Sequence, residues 1–146
     1  MVVGLPPTVH GAGDHGFVRR IVEIAREKGA SGYVGDGANA WSAVHREDAA
    51  RLFRLAVDKA EAGTVLHAVA DAGVATRDIA EAVARQLGVP TTSIDPADAA
   101  AHFGWLSMMW AMPMTGDGGP AAATMGWAPS GPTLLEDLAE RHYFHD

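Results

Sequence analysis

The sequence predicts a mixed α/β domain. Three observations carry that prediction: segments of helical periodicity alternate with short β-branched runs, glycine and proline punctuate the junctions, and no internal repeat breaks the order. Along the chain the order is strand, helix, two strands, helix, strand, helix, strand, helix, loop, helix. That order leaves too few helix–strand crossovers for a complete doubly wound sheet.

Residues 2–5 form a short strand that stops at Pro6-Pro7, because proline cannot donate to a ladder. After a glycine-rich turn, Phe17, Ile21, Ile24 and Ala25 recur at helical spacing, and Lys28-Gly29 ends that helix. Tyr33-Val34 and residues 41–45 read as two strands around the turn at residues 35–39. Glu47-Asp48 open a second helix, with carboxylates at the positive end of its dipole and Ala49, Leu52, Phe53 and Ala56 on its apolar face. Gly63 ends it, and residues 64–69 make a strand. Thr76 is the expected N-cap of a third helix that carries Ile79, Ala80, Val83 and Leu87 and stops at Gly88. Residues 89–94 are a strand, and Asp95-Pro96 start a fourth helix with a cap and a proline at its first position. Residues 115–125 are expected to be a flexible loop. Thr133 and Glu136 form a capping box for a last short helix.

A length of 146 residues suits one domain, residues 1–146. Eighteen acidic against eleven basic residues give a net charge of −7, a field that repels phosphate backbones and disfavours nucleic acid as a partner. The absence of cysteine removes disulfides, thiol nucleophiles and cysteine-based zinc sites. No basic, apolar leader pattern opens the chain. The most apolar window, residues 103–114, is about half of what crosses a bilayer. The expectation is a cytoplasmic protein with no membrane partner.

Gly11, Gly13 and Gly16 match G-x-G-x-x-G ahead of a helix, and Asp36 stands about 20 residues on, where a ribose-binding acid is expected. A dinucleotide-binding strand is central and runs directly into its first glycine. Here Pro6-Pro7 leave only Thr8-Val9-His10 for that strand, so a simple turn into a helix is the better reading.

The run Leu5-Pro6-Pro7-Thr8-Val9-His10-Gly11 resembles the R-P-x-x-V-Y-G segment of extended short-chain dehydrogenases/reductases, the group that includes NAD-dependent epimerases and dehydratases. Tyr33-Val34-Gly35-Asp36-Gly37 followed by residues 41–50 is similar to that family's GdG…hVhvdDlA stretch, and Gly126-Trp127-Ala128-Pro129 to its lGW.P ending. The resemblance implies the C-terminal, substrate-binding portion of a Rossmann-type enzyme, without the nucleotide-binding half. Residues 1–10 would then supply the last Rossmann-type strand and a loop facing nicotinamide. The family's Tyr-x-x-x-Lys pair is absent: Gly37 stands four residues after Tyr33, Tyr143 is three residues from the end, and the only lysines are Lys28 and Lys59. No catalytic residue is therefore expected in this chain.

By the same resemblance, NAD or NADP would lie against Leu5, Pro6, Pro7, Val9 and His10 and be held mainly by the other half. A small-molecule substrate would meet His15, Phe17, Tyr33, Trp41 and His45. Trp41 stands where nucleotide-sugar enzymes carry a phosphate-gripping arginine, and Gly4 stands where arginine is common. The Trp41 departure favours a small substrate that is not a nucleotide sugar, and the Gly4 departure implies an altered cofactor contact. A homo-oligomer or a completing chain is the expected partner. The alternatives are a non-catalytic binding module and an inactive truncated product. Histidines such as His142 and His145 are expected to be solvated rather than metal ligands.

Overall fold

A computed structural model describes residues 1–145, the side chain of Ala121 excepted. Three small sheets organise the chain. Strand β1 (Val2–Gly4) runs parallel to β5 (Val65–His67), with Gly4 opposite His67. Strand β2 (Thr8–His10) lies parallel to β4 (Ala40–His45), which pairs antiparallel with β6 (Asp71–Ala75) on its other side. Strand β3 (Ser31–Val34) is parallel to β7 (Thr91–Ile94).

The helices are α1 (Phe17–Lys28), α2 (Arg46–Lys59), α3 (Thr76–Leu87), α4 (Ala99–Phe103), α5 (Ser107–Ala111), α6 (Gly119–Thr124) and α7 (Leu134–Ala139). Strand β4 divides two cores. Trp41 and Ala43 face the first, with the buried stripes of α1 and α3; Val44, on the opposite face of the strand, faces the second, with Leu52, Leu66 and Trp127. Burial on both faces explains why β4 reads as a nearly continuous apolar run rather than an alternating one.

Several sequence expectations hold in detail. Gly29 and Gly88 end α1 and α3 in left-handed conformations, the Asp95 carboxylate accepts from Ala97 N, and Thr133 and Glu136 close a reciprocal capping box. Others are corrected. The strand expected over residues 64–69 is shorter, Val65–His67; the chain then bends and enters a different sheet as β6, whose Asp-Ala-Gly-Val-Ala sequence has weak β propensity. Thr76 is the first helical residue rather than the cap, and its hydroxyl bonds Asn39 Oδ1 at 3.0 Å. The expected loop at 115–125 contains α6. The strand expected at residues 2–5 is present as β1, and a second strand, β2, follows the prolines in a different sheet. Among the described residues, no helix is long and apolar enough to cross a membrane.

Candidate functional site

An open groove of about 630 Å³ runs along the ends of β1 and β5. Leu5, Pro6 and Pro7 form one lip, placed there because the prolines stop β1 and turn the chain towards β2. The opposite wall is Met112-Pro113-Met114, held against β4 by an isolated parallel bridge between Trp41 and Met114. Ser42 N donates to Met114 O at 2.9 Å, and Met114 N donates to Ala40 O at 2.8 Å. The indole of Trp41 donates to Met112 O at 3.1 Å, and the Asn39 amide donates to Trp110 O at 2.9 Å. His67 and Val69 line the groove from β5 and the bend beyond it.

The ten residues singled out from sequence separate into distinct places. Leu5, Pro6 and Pro7 line the groove together. Val9 instead packs on the second core, and His10 is 1% exposed, so neither lines the groove. Trp41, expected to meet substrate, has no exposed surface at all and stacks edge-on against Phe17 and Trp110. His15 and Phe17 border a second hollow of about 340 Å³ beside Trp105, Arg19 and Arg20. Tyr33 sits on β3, where its ring would be 2.6 Å from a Cβ at Gly37. His45 caps α2, its Nδ1 accepting from Glu47 N at 3.4 Å, and meets His10 edge-on at 5.5 Å.

The glycine motif does not fit a dinucleotide diphosphate. Helix α1 leads to β3, which pairs with β7 and not with β2, so no right-handed parallel unit closes around the loop. The loop's donors are also engaged. Gly11 N donates to Tyr143 Oη at 2.9 Å, and Gly16 N donates to Asp14 Oδ1 at 2.6 Å, placing a carboxylate where a phosphate would sit.

Two carboxylates are buried, Asp137, which went unrecognised in the sequence, and Asp48, which was read there only as a charge at the positive end of α2. Asp48 accepts from Ser130 N at 3.1 Å and Gly131 N at 2.9 Å, pairs with Arg51, and so ties the C-terminal loop to α2. Asp137 Oδ2 bonds His10 Nδ1 at 2.7 Å, and its Oδ1 lies 3.2 Å from His142 Nε2 without hydrogen-bonding geometry. Their signal was present: Asp137 shares a helical stripe with Leu134 and Leu138, and Asp48 precedes Ala49 and Leu52 on another. Nearby, Tyr143 donates to Asp14 Oδ2 at 2.9 Å. Burial, with the Asp14 carboxylate beside it, pushes that phenol far above its usual range, so it keeps its proton. No cluster of three or more His, Asp or Glu side chains among the described residues is placed to hold a metal ion.

Burial by itself would raise the Asp137 carboxyl. The hydrogen bond and charge of His10, joined by His142 and His45, outweigh it and hold the group below the usual carboxylate value. Stability from a depressed carboxyl is complete above its unfolded value, about 3.9, and is lost as pH falls through the lower folded value. Asp137→Asn is therefore expected to cost about 1.5–3 kcal/mol at neutral pH. In denaturant titrations the gap to the wild type should close below about pH 4. Equal stability at pH 7, or a gap that persists unchanged in acid, would contradict this role.

The fold is a mixed α/β architecture with parallel sheets that resembles the Rossmann-like short-chain dehydrogenase/reductase fold and spans under half of the solved chains it resembles. Ninety-seven per cent of the chain matches 41% of the dTDP-glucose 4,6-dehydratase DesIV of Streptomyces venezuelae, solved with NAD, at TM-score 0.70 and 20% identity. It likewise matches 46% of the Thermus thermophilus UDP-glucose 4-epimerase in complex with NAD, covering 97% of this chain at TM-score 0.67 and 18% identity. The Bacillus cereus UDP-glucuronic acid 4-epimerase, in complex with UDP-glucuronic acid and NAD, gives 0.66 and 15%, covering 97% of this chain and 43% of that one. At these identities the likeness is one of fold.

In sequence, the chain is 43% identical over 143 residues to an uncharacterized protein of Schizosaccharomyces pombe, covering 98% of this chain and 48% of that protein. It is 44% identical over 139 residues to an uncharacterized protein of Saccharomyces cerevisiae, covering 94% of this chain and 46% of that one. The chain thus spans about half the length of these curated relatives. No protein-family model matches it.

Proposed function

We propose that this chain is the C-terminal, substrate-binding portion of an NAD(P)-dependent oxidoreductase or epimerase, acting on a small substrate that is not a nucleotide sugar. The observation that carries this reading is the groove at residues 5–7, an open apolar face in a chain whose fold accounts for less than half of the NAD-bound enzymes it resembles. In this reading the lip formed by Leu5, Pro6 and Pro7 orients the nicotinamide, and polypeptide outside this chain holds the rest of the nucleotide and supplies hydride-transfer chemistry's acid/base. The parallel pair β1–β5 supports a completing partner. It has two strands, and Val2 and Val65, opposite one another in register, are 60% and 52% exposed. Parallel sheets are ordinarily covered, so this edge suits either a second copy or further polypeptide.

Calorimetry with NAD and NADP tests the reading. The chain by itself should bind neither more tightly than about 1 mM, near −4 kcal/mol. Mixed with the portion of the Schizosaccharomyces pombe relative that it does not match, it should yield a complex binding NAD in the micromolar range. Micromolar binding by the chain alone, abolished by Gly13→Val, would revive the glycine motif and remove this proposal. So would a mixture in which the two polypeptides show no association.

A further inference from the structure

Of the described residues that line the groove, only His67 and Asp117 are ionisable. His67 is exposed, and among the described residues it has no protein hydrogen-bond partner. Its seat is specific. Gly4 is its register partner in the parallel β1–β5 pair, and a Cβ at Gly4 would stand 2.8 Å from His67 Nδ1 and 3.3 Å from Cε1. The imidazole therefore lies directly over the bare backbone of Gly4, in space that any side chain at position 4 would take. A solvated surface histidine has no such dependence on its neighbour.

We infer that His67 is the hydrogen-bonding contact for the groove's occupant, and that this occupant is a small, uncharged carbonyl or hydroxy compound with an apolar body. The inference rests on the proposed reading of the groove as the substrate face. A neutral imidazole presents one donor and one acceptor, which match a carbonyl or hydroxyl oxygen. Leu5, Val69, Met112 and Met114 provide apolar walls, and the volume suits a small organic molecule. No lysine or arginine lines the groove, while the Asp117 carboxylate does. A diphosphate would meet no charge-assisted donor there and one like charge.

The test is a titration of the whole chain carrying methyl-labelled methionine, followed by NMR together with the imidazole resonances. Cyclohexanone and cyclohexanol serve as neutral probes, UDP-glucose as the charged comparator. With cyclohexanone, Met112, Met114 and His67 should shift together while Met108, outside the groove, stays still. His67→Ala should weaken the probe's binding by a few-fold to about tenfold, the loss of one hydrogen bond. Gly4→Ala should weaken it in the same direction by displacing an intact imidazole, and His67→Gln should restore part of the affinity. Thermal melts report whether each variant is folded; because His67 is exposed, His67→Ala alone decides the matter if Gly4→Ala is not. Unchanged affinity in His67→Ala, groove methyls that respond to UDP-glucose at lower concentration than to cyclohexanone, or no response to cyclohexanone at any soluble concentration would each overturn the inference. No nicotinamide nucleotide is present, so this titration judges His67 and the ligand class, while the NAD calorimetry judges the cofactor reading separately.

Discussion

Trp41→Arg is expected to abolish folding rather than create a diphosphate-binding protein. By sequence alone the substitution looks like a gain of function, because it places a guanidinium where the resemblance to nucleotide-sugar enzymes puts one. The structure makes the opposite demand. Trp41 has no solvent-exposed surface, packs edge-on against Phe17 and Trp110 with ring centroids 5.7 and 5.2 Å away, and spends its one donor on Met112 O. An arginine there would bury a charge with no carboxylate among those contacts, at an effective penalty of several kcal/mol, in addition to the roughly 3–5 kcal/mol lost with the indole's packing. Against a typical total stability of about 5–15 kcal/mol, that removes most or all of it. Circular dichroism and denaturant unfolding of Trp41→Arg beside Trp41→Phe provide the measurement. The phenylalanine variant should remain folded with a modest loss, since only one hydrogen bond and part of the ring volume disappear. A folded Trp41→Arg protein that binds UDP-glucose would show that the groove wall at residues 112–114 can open, and the assignment of Trp41 to the core would have to be abandoned.

The chain purified by itself should give no nicotinamide-linked turnover with a broad panel of alcohols and carbonyls. Of its two tyrosines, Tyr33 lies on β3 away from the groove and Tyr143 is buried, bonded to Asp14 and held protonated. Neither can exchange a proton with a groove ligand. Losing a positioned acid/base removes about 10²–10⁴-fold in rate from that term alone. Adding the unmatched portion of the fission-yeast relative should restore a change in nicotinamide absorbance with whichever panel member is a substrate. Turnover by the lone chain that survives both His67→Ala and His10→Ala would mean that catalytic groups lie elsewhere in it, and the proposed function would fall.

The elements were legible from the sequence wherever one stretch of chain carries its own instructions. Helical periodicity located α1, α2 and α3, Gly29 and Gly88 marked two of their ends, and Thr133 with Glu136 announced α7 before any packing was considered. The prolines at positions 6 and 7 marked where β1 must stop, and hence the lip of the groove. Strand β6 escaped because Asp-Ala-Gly-Val-Ala has little strand preference of its own; it is a strand because β4 offers it an edge.

The site was decided by distances across the fold. His10 and Asp137 are 127 residues apart in sequence, and Asp48 meets a loop more than eighty residues later, so neither partnership leaves a local pattern. Trp41 lies in the core rather than at a binding face for the same reason. Each side chain's exposure depends on which face of its strand is covered, and that is set by neighbours from other parts of the chain. Local propensity and chain-breaking residues therefore determined what the elements are. Only tertiary packing, which pairs β1 with β5 and lays residues 112–114 against β4, decided which side chains face the groove.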